Sequence, residues 1–81
     1  MLMSNLLYRV FVDNVRERMA VIGLNQLQLA ERLKVTPAYV SQILSGHRRP
    51  GLDSLERFAQ VLETEPSELI RNGAKKTAKT G

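Results

Sequence analysis

The sequence predicts an all-α fold of five short helices, with the second and third forming a helix-turn-helix, on three observations. Apolar residues recur at spacings of three and four through most of its length, which is the period of a helix with one buried face. Helix-start residues stand ahead of several of these stretches, namely Asn25, the Thr36-Pro37 pair and Pro66. No stretch alternates apolar and polar residues at the two-residue period of a strand.

Leu7, Phe11, Val15, Met19 and Ile22 set out the buried stripe of a first helix at about residues 5–22. Either Ser4 or Asn5 can cap its start, and Gly23 is placed to end it in the left-handed conformation. Asn25 caps a second helix, about 26–33, whose stripe is Leu29, Ala30 and Leu33. Thr36 caps a third, about 37–44, with Pro37 at its first position, where a missing N–H costs nothing. Val40, Ile43 and Leu44 form the apolar side of this third helix. Only Lys34, Val35 and Thr36 separate the two, so the pair reads as a helix-turn-helix.

The run from Ser45 to Gly51, SGHRRPG, has the composition of a loop. Leu52, Leu55, Phe58, Ala59 and Leu62 mark a fourth helix at about 52–62. Pro66 opens a brief fifth one holding Leu69 and Ile70 and running to about Arg71. The last eight residues, AKKTAKTG, carry no large apolar side chain and read as disordered. The expected organisation is one domain over 1–72 and a disordered basic tail over 73–81.

Composition narrows the function. The chain has 81 residues, no cysteine and one histidine, His47. Disulfides and thiolate metal sites are therefore excluded, and a zinc centre or a histidine-based catalytic triad is disfavoured. The absence of cysteine in so small a domain favours a cytosolic protein over a secreted one. Arg9 and Asp13 cut the apolar start of the chain too short for a membrane span. No paired carboxylates or nucleophile–base set is visible, which argues against an enzyme, and no cofactor is implied.

The formal net charge is +4, and it is unevenly distributed. Arg32, Lys34, Arg48 and Arg49 against Glu31 make residues 25–51 basic. Asp53, Glu56, Glu63, Glu65 and Glu68 against Arg57 make residues 52–70 acidic. Arg71, Lys75, Lys76 and Lys79 make the end basic again. Such polarity can orient a protein against a polyanion even when the folded body is nearly neutral. It is equally the pattern of a solubilising surface.

The stretch Gly23–Ile70 resembles the Cro/cI-type helix-turn-helix family of phage repressors and bacterial regulators. The resemblance is carried by LNQLQLA (24–30), VTPAYVSQI (35–43), the Gly46-His47-Arg48-Arg49-Pro50 loop and LDSLERFAQVL (52–62). It implies a five-helix, lambda-repressor-like DNA-binding domain. Two positions depart from the family pattern. The turn position often filled by Gly is Lys34, which would carry a left-handed penalty of roughly 1 kcal/mol if φ is positive there. The positions often held by an Arg–Glu pair are Met19 and Leu44, so apolar packing is expected in place of the ion pair.

The resemblance makes the third helix the recognition helix. With Val40, Ile43 and Leu44 facing the core, Pro37, Ala38, Ser41 and Gln42 are left to read bases. Gln42 is the leading reader, because a side-chain amide can bond the N6 and N7 of adenine together. Ala38 offers a methyl contact and Ser41 a short, permissive hydrogen bond. Gln26, at the first turn of the second helix, is expected on a phosphate. Asn25 either joins it or serves only as the cap. Tyr39 either reaches a phosphate with its hydroxyl or lies along the core with a wet tip. His47, Arg48 and Arg49 follow the recognition helix and are expected to hold the DNA backbone downstream.

Residues Leu2, Leu6, Val10, Val12 and Val21 lie off the expected stripe of the first helix. They make it a second candidate dimer contact beside the fifth helix. The resemblance thus implies a homodimeric regulator of transcription, most simply a repressor on a palindromic operator, controlled by its own concentration. The expected partner is double-stranded DNA, in the cytoplasm of a bacterial or phage-infected cell, on the nucleoid and away from membranes. The alternatives are an antitoxin-type regulator that also binds a toxin or another protein, and a protein-interaction module on the same fold. The Lys75, Lys76 and Lys79 tail either follows phosphates or is unused.

Overall fold

The structure, a computed structural model, describes residues 5–71. The expectations for Leu2 and for the tail beyond residue 72 lie outside the described residues. Five helices follow one another: α1 (Asn5–Ile22), α2 (Gln26–Leu33), α3 (Pro37–Ser45), α4 (Leu52–Val61) and α5 (Pro66–Leu69). No strand occurs among the described residues. α2 packs on α3 and on α4, while α5 packs on both α1 and α4.

The starts of the helices follow the expected signals; α1 and α2 also end where expected, with Gly23 at φ 76° after α1, and the other three ends differ by one or two residues. α3 runs one residue further because Gly46, at φ 98°, supplies the left-handed cap and keeps Ser45 helical. α4 stops one residue earlier. Leu62 is its cap, and the chain then turns through Glu63 at φ 60°. Nothing in the sequence around Glu63 marks that turn, since no glycine stands there. α5 ends at Leu69 and not at Arg71, where the side chain of Asn14 takes over its carbonyls.

The core joins Phe11, Val15 and Met19 of α1 to Leu29 and Ala30 of α2, Val40 and Ile43 of α3, and Phe58 and Ala59 of α4. Leu24, Leu33, Leu55, Leu62 and Leu69 also belong to it. Phe11 and Phe58 meet edge to face, with ring centroids 5.3 Å apart, a favoured aromatic geometry. The stripe of α1 is rotated from the expected one. Steps of four residues overshoot the 3.6-residue turn, so the buried face takes in Tyr8 and Val12 while Leu7 and Ile22 are only half-buried. Val12 therefore belongs to the core and is not a spare apolar residue. Leu52, expected in the stripe of α4, is 69% exposed, because it stands at the first helical position beyond the packed surface. Met19 and Leu44 are both buried in the one apolar cluster, as the departure from the family's ion pair requires.

Among the described residues no charged side chain is buried in this core, and Tyr8 alone brings a hydroxyl into it. Polar side chains act instead at the helix ends. The last carbonyls of any helix lack partners within it, and here several of them are met from other helices. Arg57 of α4 donates to the carbonyl of Leu33 at the end of α2. Tyr8 donates to Ile43, and Arg16 Nη2 to Leu44 at 3.3 Å, both at the end of α3. Arg18 donates twice to the Leu62 carbonyl, at 3.1 and 2.9 Å, and once to Glu63 at 3.1 Å. Asn14 Nδ2 donates to Leu69 at 2.9 Å and Arg71 at 3.1 Å. α1 thus fastens α3, α4 and α5, and its arginines lie where the helix dipole is negative.

Candidate nucleic-acid interface

The geometry of α3 follows from its cap and its core anchors. Thr36 Oγ1 accepts from the Tyr39 N–H at 3.1 Å, and Pro37 occupies the first position. Val40 and Ile43 are fully buried and Leu44 nearly so. Pro37, Ala38, Ser41 and Gln42 are consequently exposed together on the outer side, as the sequence pattern requires.

At the start of α2, Asn25 Oδ1 accepts from the Gln28 N–H at 2.8 Å, and Gln28 Oε1 accepts from the Asn25 N–H at 3.0 Å. This is a capping box, readable in hindsight from the Asn-x-x-Gln spacing at 25–28, and it gives Gln28 a role the sequence reading did not assign. Asn25 is the cap in either of its expected roles, and its Nδ2 is not used in that box. Gln26 stands exposed beside it. The turn to α3 passes through Lys34 at φ 62°, ψ 43°, the left-handed conformation anticipated for a residue in a glycine position.

The loop after α3 is organised by one residue of that helix. The backbone carbonyl of Gln42 accepts from the N–H groups of His47 at 2.9 Å and Arg48 at 3.2 Å, and from the cap N–H of Gly46. Its side-chain Oε1 accepts from Arg48 Nε at 3.3 Å. The Arg48 guanidinium also lies 5.2 Å from the centre of the Tyr39 ring, within cation–π range. Tyr39 in turn shares a 3.0 Å hydrogen bond with Ser54 of α4. Of the two expectations for Tyr39, the structure places its ring half-buried against the core with its hydroxyl on Ser54.

Arg49 takes a different seat. It lies 4.8 Å from the centre of the Tyr8 ring, next to the carbonyl end of α3, and Pro50 behind it is fully buried. His47 is exposed, with Nδ1 2.9 Å from Ser45 Oγ. Residues 36–50 therefore present an amide, hydroxyls, an imidazole and two guanidiniums, with no carboxylate among them. These are groups that bond base edges and phosphate oxygens. Among the described residues no group of three His, Cys, Asp or Glu is placed to hold a metal ion. None of the described helices is long and apolar enough to cross a membrane.

A helix-turn-helix family model matches residues 16–69 of this chain. Three solved structures share the architecture. The hypothetical transcription factor NHTF from Neisseria has a TM-score of 0.82 and 21% identity, covering 98% of this chain and 92% of that one. The restriction-modification controller protein C.AhdI from Aeromonas hydrophila has a TM-score of 0.68 and 32% identity, covering 74% of this chain and 91% of the other. The clp gene regulator ClgR from Corynebacterium glutamicum has a TM-score of 0.75 and 22% identity, over 91% and 79%. No curated protein matches the chain in sequence. The Neisseria and Corynebacterium similarities speak to the fold; the Aeromonas one, with the family model, speaks to kinship.

Proposed function

The chain belongs to the helix-turn-helix family and is a DNA-binding transcription regulator; from that premise we propose that it acts as a repressor, occupying a palindromic operator as a homodimer with α3 in the major groove. The observation that carries this reading is the outer side of α3, where Pro37, Ala38, Ser41 and Gln42 are exposed together above a helix anchored by Val40, Ile43 and Leu44. Gln42 reads adenine through its amide, Ser41 and Ala38 make the smaller contacts, and Pro37 sits against the groove at the helix start. Gln26 and Asn25 meet phosphate at the N-terminus of α2. His47, Arg48 and Arg49 meet it after α3. Tyr39 joins them by donating its hydroxyl proton to a phosphate while accepting from Ser54.

A domain this small buries too little DNA to select a site alone, so two copies on two half-sites supply the selectivity. The contact lies on α5 or on α1, where Leu6 is 70% and Val21 63% exposed. The domain spans 1–72, and the basic tail beyond it adds at most unselective attraction. The protein works in the cytoplasm, on the nucleoid. Similarity to a restriction-modification controller supports a regulator set by its own concentration.

Selection of short random duplexes against the purified protein tests the reading, followed by anisotropy of the enriched sequence. The expected result is a palindrome that stays bound against excess random competitor. Gln42→Ala then lowers affinity for it by ~1–3 kcal/mol while weak unselective binding survives. Absence of enrichment, with binding that vanishes at physiological salt, overturns the proposal.

A further inference from the structure

Arg48 and Arg49 are adjacent, equally charged and expected to do the same work on the DNA backbone, yet they are held differently. We infer that Arg48 is a specificity-determining residue that positions the Gln42 amide for base reading, so that one side chain couples backbone contact to sequence readout. This rests on the base-reading proposed for Gln42 and goes beyond it.

Three contacts carry the inference. Arg48 Nε donates to Gln42 Oε1 at 3.3 Å. The Arg48 backbone N–H donates to the Gln42 carbonyl at 3.2 Å, which fixes where the arginine starts relative to the amide. The guanidinium lies over Tyr39, whose hydroxyl is tied to Ser54. The side chain that reaches Gln42 is therefore braced from α4 through an aromatic ring, while Gln42 itself is exposed and would otherwise sample several rotamers.

The chemistry gives the contact a direction. A glutamine amide has one acceptor end and one donor end, and reading adenine requires Oε1 toward N6–H and Nε2 toward N7. Holding Oε1 on a guanidinium N–H distinguishes the two ends before DNA arrives. The carbonyl oxygen has two lone pairs, so it keeps Arg48 and still accepts from adenine. The bond to Gln42 uses one of the guanidinium's five N–H donors, and the rest are available to a phosphate. Arg49 is seated over the Tyr8 ring, on α1.

Arg48→Lys separates positioning from charge, because lysine keeps the cation and lacks the Nε donor at that point along the side chain. Affinities are measured by anisotropy for the selected duplex and for duplexes changed at the base pair that Gln42 reads. The proteins compared are the parent, Arg48→Lys, Arg49→Lys, Gln42→Ala and the Gln42→Ala/Arg48→Lys double variant. The expected result is that Arg48→Lys lowers discrimination at that base pair about fivefold or more, part of the range a bidentate contact provides. Discrimination is read as the ratio of affinities for the selected and changed duplexes, so any general loss of phosphate contact, shared by all duplexes, cancels. Arg49→Lys should leave discrimination alone, and Arg48→Lys should add no further loss once Gln42 is alanine.

If Gln42→Ala abolishes discrimination and Arg48→Lys leaves it intact, or if Arg48→Lys weakens all duplexes equally, the positioning role is overturned and the reading role stands. If Gln42→Ala changes discrimination nowhere, the reading role falls and the inference falls with it. A measurement without DNA guards against either variant binding poorly for other reasons. In the free protein the Gln42 side-chain amide proton resonances should move on Arg48→Lys more than those of Gln26 or Gln60, and unmoved Gln42 resonances would count against the contact.

Discussion

Arg16 and Arg18 on α1 donate to the carbonyl ends of α3 and α4, whereas Arg48 and Arg49, in the loop after α3, lie over tyrosine rings. All four carry the same charge, so a count of basic residues treats them alike. The difference lies in what faces them. α1 runs along the bundle, and its polar side chains meet backbone groups that water cannot fully satisfy; the loop's side chains meet solvent and the surface where DNA is proposed to lie. One region holds α3 in place, and the other is the one proposed to read. Changes in the first should therefore appear as stability, and changes in the second as affinity or discrimination.

The sharpest way to break that division is to disturb the seam between α1 and α3. Leu44→Glu should be the most damaging change, because it puts a carboxylate where the side chain is 6% exposed, in the apolar cluster that holds Met19 where the family often has an arginine. Arg16, whose Nη2 is near, is held on Leu44's own carbonyl. An unpaired buried charge costs about 3–5 kcal/mol, comparable to the ~4–12 kcal/mol total expected for a domain of this length. Circular dichroism should show a largely unfolded chain at 37 °C. Adding Met19→Arg should recover much of the loss by restoring the family's ion pair. A single variant that melts like the parent would show that the seam yields to water.

Arg18→Ala is next. Three hydrogen bonds to the end of α4 are lost, and charged hydrogen bonds contribute roughly 1.5–3 kcal/mol each at best. Arg18 is half-exposed, so solvent screening reduces the total to about 2 kcal/mol. The melting temperature should fall by roughly 8–16 °C, while DNA affinity of the folded fraction stays parental. Lost affinity with an unchanged melting temperature would place Arg18 in the reading region and dissolve the comparison.

The same contrast explains what was legible in the sequence. The N-terminal caps could be read because each acts within three residues: Asn25 on Gln28 and Thr36 on Tyr39. The side-chain partners of the carbonyl ends could not. Tyr8 and Ile43 are 35 residues apart, Arg18 and Leu62 are 44 apart, and Asn14 and Leu69 are 55 apart, so no local pattern joins them. The outward side of α3 was legible by subtraction, once Val40, Ile43 and Leu44 were assigned inward. The Arg48–Gln42 bond was not, because it spans a helix end whose direction Gly46 decides. Lys34 and Glu63 divide in the same way. Both have positive φ, and only Lys34 stands at a position the family often fills with glycine.

Lys34 also offers the mildest test, because it belongs to the turn that sets α3 against α2 without touching either region's side-chain contacts. Its backbone N–H is bonded to Glu31 at 3.2 Å, its side chain is exposed, and its conformation carries a left-handed penalty of about 1 kcal/mol. Glycine removes that penalty but loses more backbone entropy on folding, which returns part of the gain. Lys34→Gly should therefore stabilise the domain by less than ~1 kcal/mol, a rise in melting temperature of a few degrees at roughly 4–8 °C per kcal/mol. If α1 and the turn together only hold α3, discrimination between duplexes should not change. A lower melting temperature would mean that the lysine stem supports the turn in a way its backbone geometry does not reveal. A changed sequence preference at parental stability would mean that the turn itself sets how α3 meets the DNA, and holding and reading would no longer be separate tasks in this molecule.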